Sequence, residues 1–243
     1  MTTDTASLRA LWKEAFGDTD ALLDHFFAAA YSPSRCRTLE KDGRLAAALY
    51  WFDCSFQGEK LAYLYAIATA KPYRNQGMCH RLMEEVHSLL SAQGYAGSIL
   101  VPASAALSCL YARMGYGHRC TLRRWRCAAG NIPVPLRKLS PEEYALCRRK
   151  RLPPGGVLQE GENLAYLSGF ADFYAGENCL LAVSRETAAI FELLGDPSQA
   201  PGILRTLGFP AGDFRAPGDG APFAMYRPLC PGEAPRYFGL ALD

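Results

Sequence analysis

The stretch from residue 61 to residue 92 constrains the fold more than any other part of the sequence. An apolar run, LAYLYAIAT, reads as a β-strand and leads into the polar turn Arg74-Asn75-Gln76-Gly77. An amphipathic helix then runs from about Gln76 to Ala92, with apolar residues spaced three and four apart. A strand that passes through a glycine-marked turn into a helix predicts a mixed α/β fold.

The turn itself is a candidate anion site. A helix start leaves backbone N–H groups without partners, and the helix dipole adds positive potential there, so a pyrophosphate can bind. Gly77 would let the backbone approach closely, and Arg74 adds a charge at the rim. The turn is neither a Walker A motif nor a dinucleotide fingerprint, because it lacks Gly-Lys-Ser/Thr and has a single glycine. An ordinary strand-to-helix connection explains the same residues, so the turn alone decides nothing.

The elements around this unit follow from periodicity and turn residues. Two helices are predicted near residues 6–16 and 18–30, with Asp18 as the N-cap of the second. Two strands that meet at Gly43 form a hairpin, before the strand at 59–69. A short buried strand (GSILVP), a short helix (SAALSCLYARM) and a final strand (YGHRCTLRRWRC) follow the central helix.

The segment AAGNIPVP, residues 128–135, is the best linker candidate because it is rich in proline, glycine and small residues. We therefore predict two domains, 1–128 and 129–243. The second is smaller and less regular, with helices at PEEYALCRRKR and ENLAYLSGFADFY and then a hairpin, a helix and a strand. Its arginine run, 148–151, reads as the polar face and last turn of a helix. The hairpin-helix-strand order resembles the first half and makes the second a candidate degenerate copy. The proline-rich tail is expected to be ordered by packing rather than by regular structure.

Composition excludes several classes of function. The net charge is only +2 and the basic residues are scattered, which gives no case for nucleic-acid or anionic-membrane binding. No run of 18 apolar residues occurs, and the charged N-terminal stretch lacks the apolar centre of a signal peptide, so a cytoplasmic location is expected. Nine cysteines at irregular spacings argue against a disulfide framework and a zinc site. His80 and His87 lack a carboxylate partner and are predicted to be surface residues rather than a metal pair.

Two motifs resemble those of the GNAT superfamily of N-acetyltransferases. The run from Arg74 to Cys79 is similar to the family's acetyl-CoA loop, Q/R-x-x-G-x-G/A, with Cys79 at the last small position. LYARMGY, residues 110–116, resembles the second motif, in which Leu-Tyr precedes Gly and then Tyr or Phe. The order of elements before the loop also matches, as does LRALWKEAFGD near the start. The resemblance covers about residues 5–127 and implies a mixed α/β GNAT fold with a second, smaller α/β half.

The resemblance also implies a reaction, in which an acetyl group moves from acetyl-CoA to a primary amine by direct attack, with no metal. Backbone amides of the loop would hold the CoA pyrophosphate, and the strand before it would pair with the pantetheine. The implied cofactor-binding residues are Ile67, Ala68, Thr69, Arg74, Asn75, Gln76, Gly77, Met78 and Cys79. Tyr111 matches the frequent general acid, whose phenol protonates the leaving thiolate.

The general base stays open. Many family members carry a glutamate on the strand before the loop, where this chain has Tyr63-Leu64-Tyr65-Ala66. A water chain, Asp53, a group from the second half, or a C-terminal carboxylate at Asp243, as in the enhanced intracellular survival family, are the alternatives. The acceptor is expected to be a small-molecule or peptide amine, and the chain a monomer or homodimer. The rivals are a non-catalytic acyl-CoA-binding sensor or interaction module, and an enzyme that uses a longer acyl group.

Overall fold

The computed structural model describes residues 4–118 and 120–242. The α-helices in these residues are α1 (Thr5–Phe16), α2 (Asp20–Ala29), α3 (Met78–Ala92), α4 (Ala105–Ala112), α5 (Pro141–Arg151), α6 (Glu162–Leu167) and α7 (Ala200–Leu207). The strands are β1 (Cys36–Lys41), β2 (Arg44–Phe56), β3 (Glu59–Thr69), β4 (Gly97–Leu100), β5 (Gly117–His118), β6 (Thr121–Ala128), β7 (Arg137–Leu139), β8 (Leu158–Gln159), β9 (Ala171–Ala175), β10 (Cys179–Ser184), β11 (Ala189–Gly195), β12 (Ala211–Pro222) and β13 (Met225–Pro228). The predicted mixed α/β fold is confirmed, and so is the order of elements from α1 to α4.

The junction between α1 and α2 differs from the prediction by one residue. Gly17, in the left-handed conformation at φ 76°, ends α1. The N-cap of α2 is Thr19, whose hydroxyl accepts from the Leu22 amide at 3.2 Å. The prediction of Asp18 as the cap is therefore wrong. Because Thr19 supplies the cap, the Asp18 side chain is available for another role.

The first sheet has the order β1-β2-β3-β4-β13-β5, with β8 paired to β2. Neighbouring strands in β1-β2-β3 are antiparallel, whereas β3 and β4 are parallel. Helix α3 forms the crossover connection that a parallel pair needs. The apolar stripe of α3, including Leu82 and Val86, packs on one face of this sheet. Trp12 from α1 and Phe26 from α2 pack on the other face. Helices thus cover both faces, as the apolar strands require.

The second sheet has the order β6-β12-β11-β10-β9-β7. The predicted hairpin is confirmed as the antiparallel pair β10–β11. After α7 the chain returns as β12, parallel to β11, just as β4 returns parallel to β3 after α3. The hairpin-helix-strand order therefore occurs in both sheets, which is consistent with a two-part GNAT-like arrangement.

The two halves of the chain exchange strands. The single strand predicted over YGHRCTLRRWRC is instead two strands, because β5 joins the first sheet and β6 joins the second. The strand predicted at FAMYRPL is β13, which lies between β4 and β5 of the first sheet. The domain boundary at residues 128 and 129 stays a prediction, and strands on either side of it contribute to both sheets.

Two further predictions for the second half were wrong. The helix expected over ENLAYLSGFADFY stops at Leu167, and β9 begins at Ala171. Part of the proline-rich tail forms the regular strand β12, which pairs with β6 across a register shift between Ala216 and Ala221. Gly218 lies in that shift at φ 148°, so glycine allows the strand to continue past its prolines.

The arginine run on α5 is not uniformly exposed, because Arg148 is completely buried. Its guanidinium donates to both carboxylate oxygens of Glu192, at 2.7 and 2.9 Å. The hydroxyls of Tyr144 and Tyr237 donate to the same carboxylate at 2.7 and 2.8 Å. A buried ion pair is tolerated when its remaining hydrogen bonds are satisfied, as they are here. Through Tyr237 the network also fixes the C-terminal tail.

His87 is also buried, so its prediction as a surface residue was wrong. Its Nδ1 accepts from the Arg227 guanidinium at 2.8 Å, since arginine can only donate. The other ring nitrogen, 2.7 Å from the Tyr116 hydroxyl oxygen, then carries the proton. Burial, followed by the Arg227 charge, lowers the pKa of His87 to about 3. The imidazole is therefore neutral at physiological pH.

Among the described residues, no helix combines the length and apolar character that crossing a bilayer requires. The cysteines are free thiols, of which Cys36, Cys54, Cys120 and Cys179 are buried. Within the same part of the chain, His, Cys, Asp and Glu do not cluster in threes at a possible metal site.

Candidate active site

An opening between β3 and β4 forms the base of the candidate active site. The two strands pair as far as Tyr63 and Ile99, and the residues beyond them line a cavity. A bulge in β3 accompanies the separation, with Ala66 at φ 51° beside a register shift against β2. The indole N–H of Trp12 donates to the Ala66 carbonyl at 3.0 Å. The first helix thus holds the bulge, a strained conformation of the kind that occurs at functional sites.

A cavity of about 670 Å³ lies between the end of β3, the start of α3 and α4, and we name it the loop cavity. Every predicted cofactor-binding residue except Gln76 lines it. The Gln76 side chain turns outward, where it accepts from Lys41 at 2.6 Å and donates to the Pro72 carbonyl at 2.8 Å. A cavity of this size is in the range that binds extended small ligands.

The backbone at the start of α3 is suited to binding an anion. The N-cap is Gly77 at φ 76°, and no side chain caps the helix there. Asn75 is also left-handed, at φ 60°. The first amides of α3 therefore lack the usual side-chain acceptor and carry the positive end of the helix dipole. Arg74 lines the same cavity and is positioned by a hydrogen bond from its Nε to the Thr69 carbonyl, at 3.0 Å.

Cys79 lies in the first turn of α3, is half-buried and packs against the core beneath the sheet. Burial raises the pKa of its thiol. A raised pKa disfavours the thiolate that a nucleophilic cysteine needs. The side chain therefore behaves as a small apolar group.

A second cavity, of about 460 Å³, lies between the diverging ends of β3 and β4, and we name it the strand cavity. Phe16, Ile67, Leu107 and Tyr111 line both the loop cavity and the strand cavity. The two spaces therefore meet at these four side chains. A ligand in one cavity can contact a ligand in the other at this junction.

Tyr111 lies on α4 at that junction and is 6% exposed. Burial, with a smaller contribution from the neighbouring Cys79, raises the pKa of its phenol above the ordinary value of 10. The phenol is consequently protonated over the physiological range. A neutral, largely desolvated hydroxyl at a cavity junction can donate a proton to a departing group.

Comparison with known proteins agrees with this geometry. Residues 2–119 match the family model described as an acetyltransferase (GNAT) domain. The match assigns residues 2–119 to the GNAT acetyltransferase domain. Acyl transfer is the general activity of that family, and the strand-loop-helix unit and the Tyr111 helix both lie within the matched residues. No curated protein matches the sequence.

Solved structures extend the similarity beyond the GNAT domain. A GCN5-related N-acetyltransferase from Anabaena variabilis aligns with a TM-score of 0.73 and 13% identity, over 95% of this chain and 72% of that one. One from Kribbella flavida aligns with a TM-score of 0.70 and 16% identity, over 94% and 69%. Eis1 from Mycobacterium abscessus aligns with a TM-score of 0.68 and 13% identity, over 94% and 72%. At these identities the likeness shows a shared fold, and it includes the second half of the chain.

Asp18, which the sequence predicted as a helix cap, is the carboxylate that lies in the candidate active site. Asp18, in the turn between α1 and α2, lines the strand cavity. Its side chain is half-buried, and this desolvation raises the pKa of the carboxyl group. Gly17-Asp18 after a helix also reads as a capping sequence, so the sequence offered no sign that Asp18 turns toward the strands.

Two of the alternatives for a general base can be located. Asp53 lies outside both cavities, where it accepts from Arg35 at 3.3 Å and from the Tyr95 hydroxyl. The tail does reach the strand cavity, because Leu242 lines it and its amide donates to the Tyr63 hydroxyl at 3.0 Å. Asp243 lies outside the described residues. Tyr63 and Tyr65, from the part of β3 where the resemblance led us to look for a glutamate, also line this cavity.

Proposed function

We propose that this chain is an N-acetyltransferase that transfers an acetyl group from acetyl-CoA to a primary amine. The observation that carries the proposal is the junction at Tyr111, where a protonated phenol borders both cavities. The loop cavity suits CoA, because the α3 amides and Arg74 offer an anion site for the pyrophosphate. Ile67, Ala68 and Thr69 offer a strand edge for the pantetheine. The strand cavity is then the acceptor site.

Bound acetyl-CoA would supply an acetyl thioester, and the chain's own residues would manage the protons. Asp18 would accept one proton from the acceptor ammonium, which frees the nitrogen lone pair to attack the carbonyl carbon. Tyr111 would donate its proton to sulfur as the carbon–sulfur bond breaks. The second amine proton leaves as the amide forms and restores the phenol. The net reaction converts an ammonium and acetyl-CoA into an acetamide, free CoA and one proton.

The experiment is the Tyr111→Phe variant, studied by CoA calorimetry and by thiol release with an amine panel. The loss of general acid catalysis should lower the turnover number by about 10²-fold or more, while the dissociation constant for CoA stays within about twofold. Tyr174→Phe is the matched control, because Tyr174 lies on β9 outside both cavities. Unchanged turnover in Tyr111→Phe would remove the phenol from the mechanism. Tight CoA binding without turnover on any amine would instead favour a non-catalytic acyl-CoA-binding sensor.

A further inference from the structure

The walls of the strand cavity are mostly hydrocarbon. Ile67 and Leu64 come from β3, Leu107 from α4 and Leu242 from the tail. Phe16, which is 49% exposed, also lines this cavity. Each of these groups favours an apolar ligand body, because burying apolar surface against it removes that surface from water.

Two of the tyrosines that line the strand cavity hold their hydroxyl groups in hydrogen bonds with the protein. The Tyr63 hydroxyl oxygen accepts from the Leu242 amide at 3.0 Å. The Tyr65 hydroxyl lies 3.3 Å from that of Tyr166, whose ring packs behind it. Two of the three phenols are thus bonded to the protein, and the third belongs to Tyr111. Aromatic edges and faces offer contacts to a ring or a branched chain.

Charge in this cavity is limited. Among its lining residues that the structure describes, Asp18 alone bears a formal charge. Other titratable groups near that carboxylate are the phenols of Tyr65 and Tyr166, which feel its field, and the His25 ring, which stacks on Tyr166. One carboxylate can compensate one ammonium, and a second cation taken into an apolar space stays unpaired at a large cost.

We propose that the acceptor is a small monoamine, with a single primary ammonium carried on an aromatic or branched apolar body. Asp18 is the group that orients the ammonium, and the walls from β3, α4 and the tail select the body. This inference rests on the proposed function and narrows its acceptor. Polyamines and aminoglycosides carry several charges, and among the lining residues that the structure describes only Asp18 can compensate one. At about 460 Å³ the strand cavity holds a drug-sized amine rather than a protein segment.

A matched pair of amines tests the charge argument directly. The substrates are 4-methylbenzylamine and 4-(aminomethyl)benzylamine, which share a body and differ by one ammonium. The full-length chain is assayed with acetyl-CoA for thiol release and for the acetylated amine by mass spectrometry. We expect kcat/KM for the diamine to be at least tenfold lower. Spermidine should be poorer still, because it lacks an apolar body.

The Asp18→Asn variant distinguishes an effect on the ammonium from a general loss of folded structure. Asp18→Asn should lower kcat/KM for 4-methylbenzylamine at least tenfold at neutral pH. The deficit should narrow as the pH approaches the pKa of the amine, because a free amine no longer needs a carboxylate. A deficit that is the same at every pH would mark a purely structural effect and overturn the assignment.

The outcomes keep the two proposals apart. Preference for the monoamine with the pH-dependent defect of Asp18→Asn supports both. Acetylation of the diamine or of spermidine at an equal or higher kcat/KM overturns the monoamine inference and leaves the acetyltransferase intact. Calorimetric CoA binding with no acetylation of any amine overturns the proposed function itself.

Discussion

The buried ion pair between Arg148 and Glu192 offers a test of how the second half is stabilised. In Glu192→Gln the carboxylate charge is lost while its volume is kept. Arg148, which is fully buried, would retain a positive charge without a counterion. Removing one partner of such a pair costs about 3–5 kcal/mol. The phenols of Tyr144 and Tyr237 lose a charged acceptor as well, so we expect the upper part of this range.

The assay is urea unfolding at neutral pH, followed by tryptophan fluorescence and by far-UV circular dichroism. Coincidence of the two transitions is required before a free energy is assigned, since a chain with two sheets can unfold in steps. Glu85→Gln is the matched control, because Glu85 forms an exposed pair with Arg81 at 2.9 Å on α3. That control should lose at most about 0.5 kcal/mol.

A double variant tests the cause of the loss. If an unpaired guanidinium is responsible, adding Arg148→Met to Glu192→Gln should restore part of the stability, because the uncompensated charge disappears. An additive further loss would show that packing around Arg148 dominates. A loss below about 1 kcal/mol in Glu192→Gln alone would refute the assignment of this pair as a desolvated, mutually dependent unit.

Two more predictions concern the first half. His87→Gln should flatten the pH dependence of the unfolding free energy. The pKa of His87 is about 3 in the folded chain and about 6.5 in the unfolded chain. The wild type should therefore lose stability as the pH drops from 6.5 toward 3, by up to about 1.4 kcal/mol per pH unit. Parallel profiles for wild type and variant would contradict this. Gly77→Ala should cost about 1 kcal/mol of stability through its left-handed backbone and also weaken CoA binding in calorimetry. Gly208→Ala, at a residue with a similar φ of 78° at the end of α7, should lose stability but keep its affinity for CoA. If Gly77→Ala binds CoA as tightly as the wild type does, Gly77 has no part in CoA binding.

Local signals in the sequence were sufficient for the strand-loop-helix unit and the Tyr111 helix. Their residues are close together in the chain, and their spacing reflects the period of a strand or a helix. His87 and Arg148 were misplaced because their residue types favour the surface. The groups that make burial acceptable, Arg227 and Glu192, come from more than 40 residues away in the sequence. Such partners are visible only after the chain has folded.

The strand cavity, which we propose as the acceptor site, was the least predictable part of the candidate active site. Asp18 has the sequence signal of a helix cap, but Thr19 is the cap, and Asp18 lines the strand cavity instead. Leu242 reaches the strand cavity on a tail that is held by the Arg148 network and by the Tyr63 hydroxyl. Strand β13 enters the first sheet through long-range pairing that periodicity cannot reveal. These features depend on tertiary contacts rather than on local pattern.

The central claim is that an acetyl group passes directly between the two cavities that meet at Tyr111. The most direct measurement incubates the chain with acetyl-CoA deuterated in its acetyl group and with 4-methylbenzylamine, then quantifies free CoA and labelled amide by mass spectrometry. We expect one labelled amide for each CoA thiol released, and much less labelled amide from Tyr111→Phe. Binding of CoA with no labelled amide from any amine, or equal amide formation by the variant, would contradict it.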